Sequence, residues 1–126
     1  MNKNNIITCL LTLLALLCPI QGKASYMFKH YGVQNGLSQS TVYAIMQDRT
    51  GFIWIGTKEG LNRFDGTSFK IYRAYNDEHS LQSDFITSLY EDADGNIWVG
   101  TDIGVWIYNP MTDSFRHFNT KTAGGT

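Results

Sequence analysis

Asp94-Gly95-Asn96-Ile97-Trp98-Val99-Gly100-Thr101 decides how this chain is read, because it has a twin 44 residues upstream, Thr50-Gly51-Phe52-Ile53-Trp54-Ile55-Gly56-Thr57. Self-similarity at a period of about 20–50 residues marks stacked supersecondary units rather than one irregular core. The offset of 44 aligns Leu37 with Leu81, Val42 with Ile86, Asp48 with Asp92, Thr57 with Thr101 and Phe64 with Tyr108. It then grows to 46, pairing Phe69 with Phe115 and Tyr72 with Phe118, so the last turn of the second copy is two residues longer. Gly51, Trp54, Gly56 and Gly60, matched by Gly95, Trp98, Gly100 and Gly104, are the structural positions of the repeat.

Each copy reads as four short strands. In the first they are Val42–Gln47, Phe52–Gly56, Leu61–Phe64 and Ser68–Tyr72. In the second they are Ile86–Glu91, Asn96–Gly100, Val105–Tyr108 and Ser114–Phe118. β-Branched and aromatic runs separated by Gly, Asp and Asn are a hairpin signal. The first two turns of each copy close on glycine, where a positive φ is expected. Asp65-Gly66 reads as a type I′ dipeptide, and Pro110 suits the longer turn that replaces it in copy two.

Both faces of these strands are apolar. Phe52 and Trp54 oppose Ile53 and Ile55, and Val42, Ala44 and Met46 oppose Tyr43 and Ile45. A sheet with one wet face alternates apolar with polar. Sheets covered on both sides and repeated every 40–45 residues are propeller blades; a β-sandwich, the alternative, should show one polar face. The expected fold is all-β: two four-stranded antiparallel blades of an incomplete β-propeller, at 37–72 and 81–118. Phe28-Lys29-His30-Tyr31 repeats the pattern of the fourth strands, so 25–36 is expected to supply a closing outer strand that pairs in the final blade of the ring, beside strands from the far end of the chain. A polar linker, 119–126, follows. Propellers have about four blades or more, so the chain is expected to be the N-terminal part of a longer protein and, alone, to self-associate through an open apolar face.

Residues 1–24 read as a secretory signal: Lys3, then the apolar run Ile6 to Leu17, Pro19, and small residues at Gly22 and Ala24. The run is about 12 residues, short of the roughly 20 of a spanning helix; a retained anchor is the alternative. Cleavage would remove Cys9 and Cys18, the only cysteines, and would lower Lys plus Arg from 10 to 8 against 11 acids, a net charge of −3. That balance offers no footprint for nucleic acid. Localisation is expected to be exported, on the periplasmic side of the inner membrane.

Ile53–Gly66 (Ile-Trp-Ile-Gly-Thr-Lys-Glu-Gly-Leu-Asn-Arg-Phe-Asp-Gly) and Asp94–Pro110 resemble the two-component regulator propeller repeat. Phe28–Ser38 resembles the way sensors carrying that repeat begin. The resemblance covers about residues 26–118. It implies the extracytoplasmic part of a Bacteroides-type hybrid two-component sensor, with further blades, a β-sandwich, a transmembrane helix, kinase, receiver and DNA-binding modules downstream. It also implies an oligosaccharide ligand and a homodimeric full-length sensor, with the membrane reached only through the signal or the downstream helix.

No residue pattern here calls for catalysis, a cofactor or a metal. The acidic turn Glu91–Asn96 lacks the ligand spacing of a calcium loop, and its counterpart Asp48–Gly51 lacks the second acid; a hairpin turn explains both. His30, His79 and His117 have no metal-site spacing. Ser38, Ser40 and Ser83 lack a nucleophile context. Trp54 and Trp98 are expected to pack between blades. At Trp106 copy one has Asn62, so the blade does not require an aromatic there; Trp106 is expected first to pack on a neighbouring surface, and is the one candidate ligand contact as the alternative. The leading function is ligand sensing without catalysis by this chain. A free-standing secreted sugar- or protein-binding propeller and a propeller lyase are the competing classes.

Overall fold

The computed structural model describes residues 2–17, 19 and 21–123; Cys18 and the last three residues of the expected linker, 124–126, lie outside the described residues. An N-terminal helix, α1 (Lys3–Leu16), precedes an irregular stretch and a 3-10 turn at Val33–Asn35. Eight strands follow: β1 (Val42–Gln47), β2 (Ile53–Thr57), β3 (Gly60–Phe64), β4 (Phe69–Tyr72), β5 (Ile86–Glu91), β6 (Ile97–Thr101), β7 (Val105–Asn109) and β8 (Ser114–His117). A single turn of helix, α2 (Thr120–Ala123), falls in the stretch expected to be linker. The strands form two four-stranded sheets in sequential order, β1-β2-β3-β4 and β5-β6-β7-β8, with every pairing antiparallel. The all-β, two-blade architecture is thus present. Several strand edges differ from expectation by a residue: Gly60 and Asn109 join their ladders, whereas Phe52, Asn96, Ser68 and Phe118 fall outside them.

Glycine places the turns. Gly51, Gly60, Gly95 and Gly104 all have positive φ, a conformation with no penalty when Cβ is absent. The β3–β4 connection departs from the expected type I′ turn. Asp65 N–H donates to Ser68 O at 3.2 Å, and of the two residues between them the first, Gly66, has φ 100°. Asp65 itself is not among the residues at positive φ. A type I′ turn needs positive φ at both of its central residues, which the Asp65-Gly66 pair does not have. Asp65 instead caps the turn, its Oδ1 accepting from the N–H groups of Thr67 and Ser68, both at 2.8 Å.

Cross-strand partners share a sheet face. One face of the first sheet therefore carries Met46, Trp54, Arg63 and Lys70, with Ala44, Gly56, Leu61 and Tyr72 beside them. The facing side of the second sheet carries Ile97, Tyr108 and Phe115, with Leu89, Val99 and Trp106. These two faces meet, and the core is their junction: Trp54, Leu61, Tyr72, Leu81, Ile86, Ile97, Val99, Trp106, Tyr108 and Phe115 form one buried cluster. Gly56 is required by that approach, because a Cβ there would lie 2.6 Å from Ile86 Cγ2. Both β1–β2 and β5–β6 shift register opposite Gly56 and Gly100, the local irregularity that re-aims an inner strand.

The remaining faces are less covered. On the first sheet Ile45 is 70% exposed, while Ile53 and Ile55 are half-buried. On the second, Tyr90 is 65% exposed and Trp98 is half-buried against Phe118, 4.9 Å between ring centroids. The stretch expected to give a closing strand, 25–36, carries no ladder among the described residues. Its Tyr31 instead packs on Phe64 and Phe69, at 4.7 and 6.1 Å. A strand takes its hydrogen bonds from a neighbouring edge, and among the described residues none pairs with this one.

Candidate functional site

Among the described residues, two of the grooves gather side chains of interest for binding. The first is the loop end of the second sheet. The connection from β4 to β5 is folded on itself by side chains: Ser80 Oγ donates to Tyr75 O and Asp77 O at 2.8 and 2.9 Å, and Gln82 Nε2 donates to Asp77 O at 2.8 Å. His79 O accepts from Phe115 N–H at 2.8 Å, which ties the loop to β8. With Ile103, Trp106 and His117 this loop lines an open groove of about 520 Å³, whose acids are Asp77 and Glu78.

Trp106, the candidate ligand contact, lines this groove and is only 4% exposed. Its ring packs on His117, 4.7 Å between centroids, and a Cβ on Gly104 would touch it. Asn62 explains why copy one needs no aromatic. It is fully buried, its Oδ1 accepts from Ser38 N–H at 2.9 Å, and its Nδ2 donates to Ser38 Oγ and Ile55 O. Asn62 thus fastens Ser38 by hydrogen bonds, whereas Trp106 packs on His117 and belongs to the buried cluster that holds Leu81. Ser38 also shares a hydrogen bond with Thr57 Oγ1, whereas Ser83 Oγ donates to Asp102.

The second place is the cleft between the sheets at the opposite end, about 290 Å³ in volume. The acidic turns beside it are hairpin devices. Asp48 Oδ1 accepts from Thr50 N–H and Phe52 N–H, both at 3.0 Å, and its Oδ2 accepts from Trp54 Nε1 at 2.7 Å. Asp92 repeats this with Asp94 N–H, Asn96 N–H and Trp98 Nε1. Burial pushes the Asp48 carboxyl up, but the hydrogen bonds from Thr50, Trp54 and Phe52 outweigh it and hold it below the usual range. The Trp98 indole does most to hold Asp92 low. The spacing of six residues from Asp to Trp in both copies is a signal of this turn-to-strand link that the repeat alignment alone did not expose.

Across the junction lie groups that do not repeat. Arg49 donates from Nε to Glu91 Oε1 at 2.6 Å, and from its two terminal nitrogens to Ala93 O and Asp92 O at 3.0 and 2.6 Å. Asp113, the one non-glycine residue with positive φ among the described residues, accepts from the hydroxyls of Tyr72 and Tyr108 at 2.8 and 2.7 Å and pairs with Lys70. Desolvation raises the Asp113 carboxyl, but the Lys70, Tyr108 and Tyr72 hydrogen bonds prevail and set it at about 2. Burial, joined by bonds to Tyr108 and Asp113, drives the Tyr72 hydroxyl far above its normal range. Arg63 donates from Nη1 to Tyr108 Oη at 3.1 Å. Counterparts of Arg49 and Arg63 in the second copy are Ala93 and Ile107, so alignment of the copies marks these positions as variable and hides them. Among the described residues no three metal-binding side chains cluster.

The chain is therefore a pair of β-propeller blades. Residues 36–59 and 80–102 match the two-component regulator propeller family model, and the chain carries two repeats of that type. Over 49 residues it is 51% identical to histidine kinase P4 of Formosa agariphila, a match spanning 39% of this chain and 4% of the relative. The extracellular domain of a hybrid two-component system from B. thetaiotaomicron is 35% identical, with a TM-score of 0.69 over 75% of this chain and 14% of that one. The extracellular domain of a one-component system from the same organism gives 25% identity and a TM-score of 0.62, again over 75% and 14%. The chain thus spans a small part of the length of each relative.

Proposed function

We propose that this chain forms the opening blades of an extracytoplasmic sensor propeller that responds to carbohydrate and performs no catalysis itself. The observation that carries the reading is the superposition of both blades on the extracellular domain of a hybrid two-component system at 35% identity. Export would use residues 1–24 as a signal. α1 buries none of its residues, and no helix among the described residues is long and apolar enough to cross a membrane. In a full-length homodimer, ligand would favour one arrangement of the ectodomains and so shift the population that a downstream kinase reads. The groove above Trp106, with Asp77, Glu78 and Gln82 at its rim, is the part of this chain best suited to sugar hydroxyls. The test is an oligosaccharide array probed with the purified protein, with reducing-end release followed in parallel. Saturable binding without turnover is the expected result, and turnover of any substrate overturns the reading. Intact-mass analysis of the exported protein checks the leader: a product beginning at Ser25 is expected, and retention of residues 1–24 refutes cleavage.

A further inference from the structure

We propose that the cleft between the two sheets binds a small carboxylate ligand, anchored by Arg63. Phe52, Trp54, Ile97, Tyr108 and Pro110 supply its apolar walls, and Arg63 lies among them. The guanidinium carbon sits 4.6 Å from the Phe52 ring centroid and 5.8 Å from that of Trp54. A guanidinium carries five N–H donors. Among the described residues Arg63 places one hydrogen bond, to Tyr108 Oη, and makes no ion pair.

Of the three acids lining the cleft two are otherwise engaged, and the third, Asp94, is exposed on the β5–β6 turn. Asp48 is held by its own turn and by Trp54, and Glu91 is neutralised by Arg49. Both tyrosine hydroxyls donate to Asp113. Tyr108 therefore offers Arg63 an acceptor and offers the cleft no donor. Blade geometry does not demand a cation here, because the equivalent Ile107 of the second blade is 1% exposed and wholly apolar. An arginine set in aromatic walls with its planar fork unspent matches a carboxylate, which takes two parallel N–H bonds. The walls suit an apolar body, and the volume lies near the roughly 300 Å³ lower end of small-molecule sites. Phosphate fits less well: it is more heavily hydrated, and it has no apolar body for these walls. The site does not depend on the sensor reading.

The experiment is calorimetric titration of the full chain with benzoate, alongside benzamide and inorganic phosphate, backed by thermal melts. Saturable binding of one benzoate per chain with a raised Tm is expected, with benzamide and phosphate at least tenfold weaker. Arg63→Ile, which installs the residue of the matching slot, should lower benzoate affinity at least tenfold while the far-UV spectrum is retained. Arg63→Lys keeps the charge without the fork and should fall between. Absence of saturable benzoate binding, equal binding of benzamide or phosphate, or unchanged affinity in Arg63→Ile overturns the proposal. If Arg63→Ile fails to fold, the Lys variant decides: wild-type affinity there overturns the bidentate anchor.

Discussion

Trp54 and Trp98 occupy the same strand position, make the same indole bond to an aspartate six residues earlier, and differ in what lies on their rings. Trp54 is 1% exposed, stacked on Tyr72 at 5.9 Å and tilted against Tyr108 at 5.0 Å. Trp98 is half-buried and meets Phe118 of its own blade. The local sequence builds each blade alike, and the energetic difference comes from the sheet that covers it. Truncation should expose that difference. Trp54→Ala removes the centre of the junction and should cost about 3–5 kcal/mol. Trp98→Ala, losing a half-wet ring, should cost about 1–2 kcal/mol. Urea unfolding of the full chain measures both, and equal losses would show that the junction does not set the stability of the pair.

The two strand glycines extend the contrast at smaller scale. Alanine at Gly56 would push into Ile86 of the other blade. Overpacking a fitted interface costs about 1–3 kcal/mol. Alanine at Gly100 would run into Ser88 Oγ of its own blade, and a serine hydroxyl can turn aside to another rotamer. Gly56→Ala should therefore be the more damaging by thermal melt, and the reverse order would place the tight spot within the blade rather than between blades.

Arg49 against Ala93 is the next step down. The Arg49 clamp reaches a Glu91 side chain that is 15% exposed, while Arg49 itself is 52% exposed. Solvent screening leaves such a pair a modest value, and its two bonds to backbone carbonyls add to it. Arg49→Ala should cost about 1 kcal/mol, with most of the loss reproduced by Glu91→Gln. A double-mutant cycle tests this, and additive losses would mean that the two residues do not act together.

The blades were legible in the sequence for a physical reason. Turn glycines, strand aromatics and apolar positions on both faces answer to constraints that every blade shares, so they recur at fixed spacing. The junction was less legible. Arg49, Arg63 and Asp113 have no counterpart in the other copy, and a repeat alignment passes over whatever does not repeat. Trp106 illustrates the converse: its difference from Asn62 is plain in the sequence, but its burial and its packing on His117 are not. The segment 25–36 matched the fourth-strand pattern, but a ladder also needs a partner edge, which local sequence does not provide.

The smallest effect expected is electrostatic, because Lys70 and Asp113 are about half exposed and solvent screens their pairing, and it falls on the junction alone. Asp113 of the longer β7–β8 turn reaches Lys70 and Tyr72 of the first blade, whereas Asp65 in the corresponding turn of blade one bonds to its own backbone. The Asp113 carboxyl titrates at about 2 in the folded chain, below the roughly 3.9 of an unfolded aspartate. A depressed carboxylate stabilises the fold above the unfolded value, and that contribution fades as pH falls through the folded one. Asp113→Asn keeps a residue that tolerates positive φ while removing the charge. The Tm gap between wild type and Asp113→Asn should accordingly be constant above about pH 5 and close between about pH 4 and pH 2. Asp48 and Asp92 also titrate low, but both are present in each protein and cancel in the difference. A gap that stays open down to pH 2 would place the value of Asp113 in its turn geometry rather than in its charge.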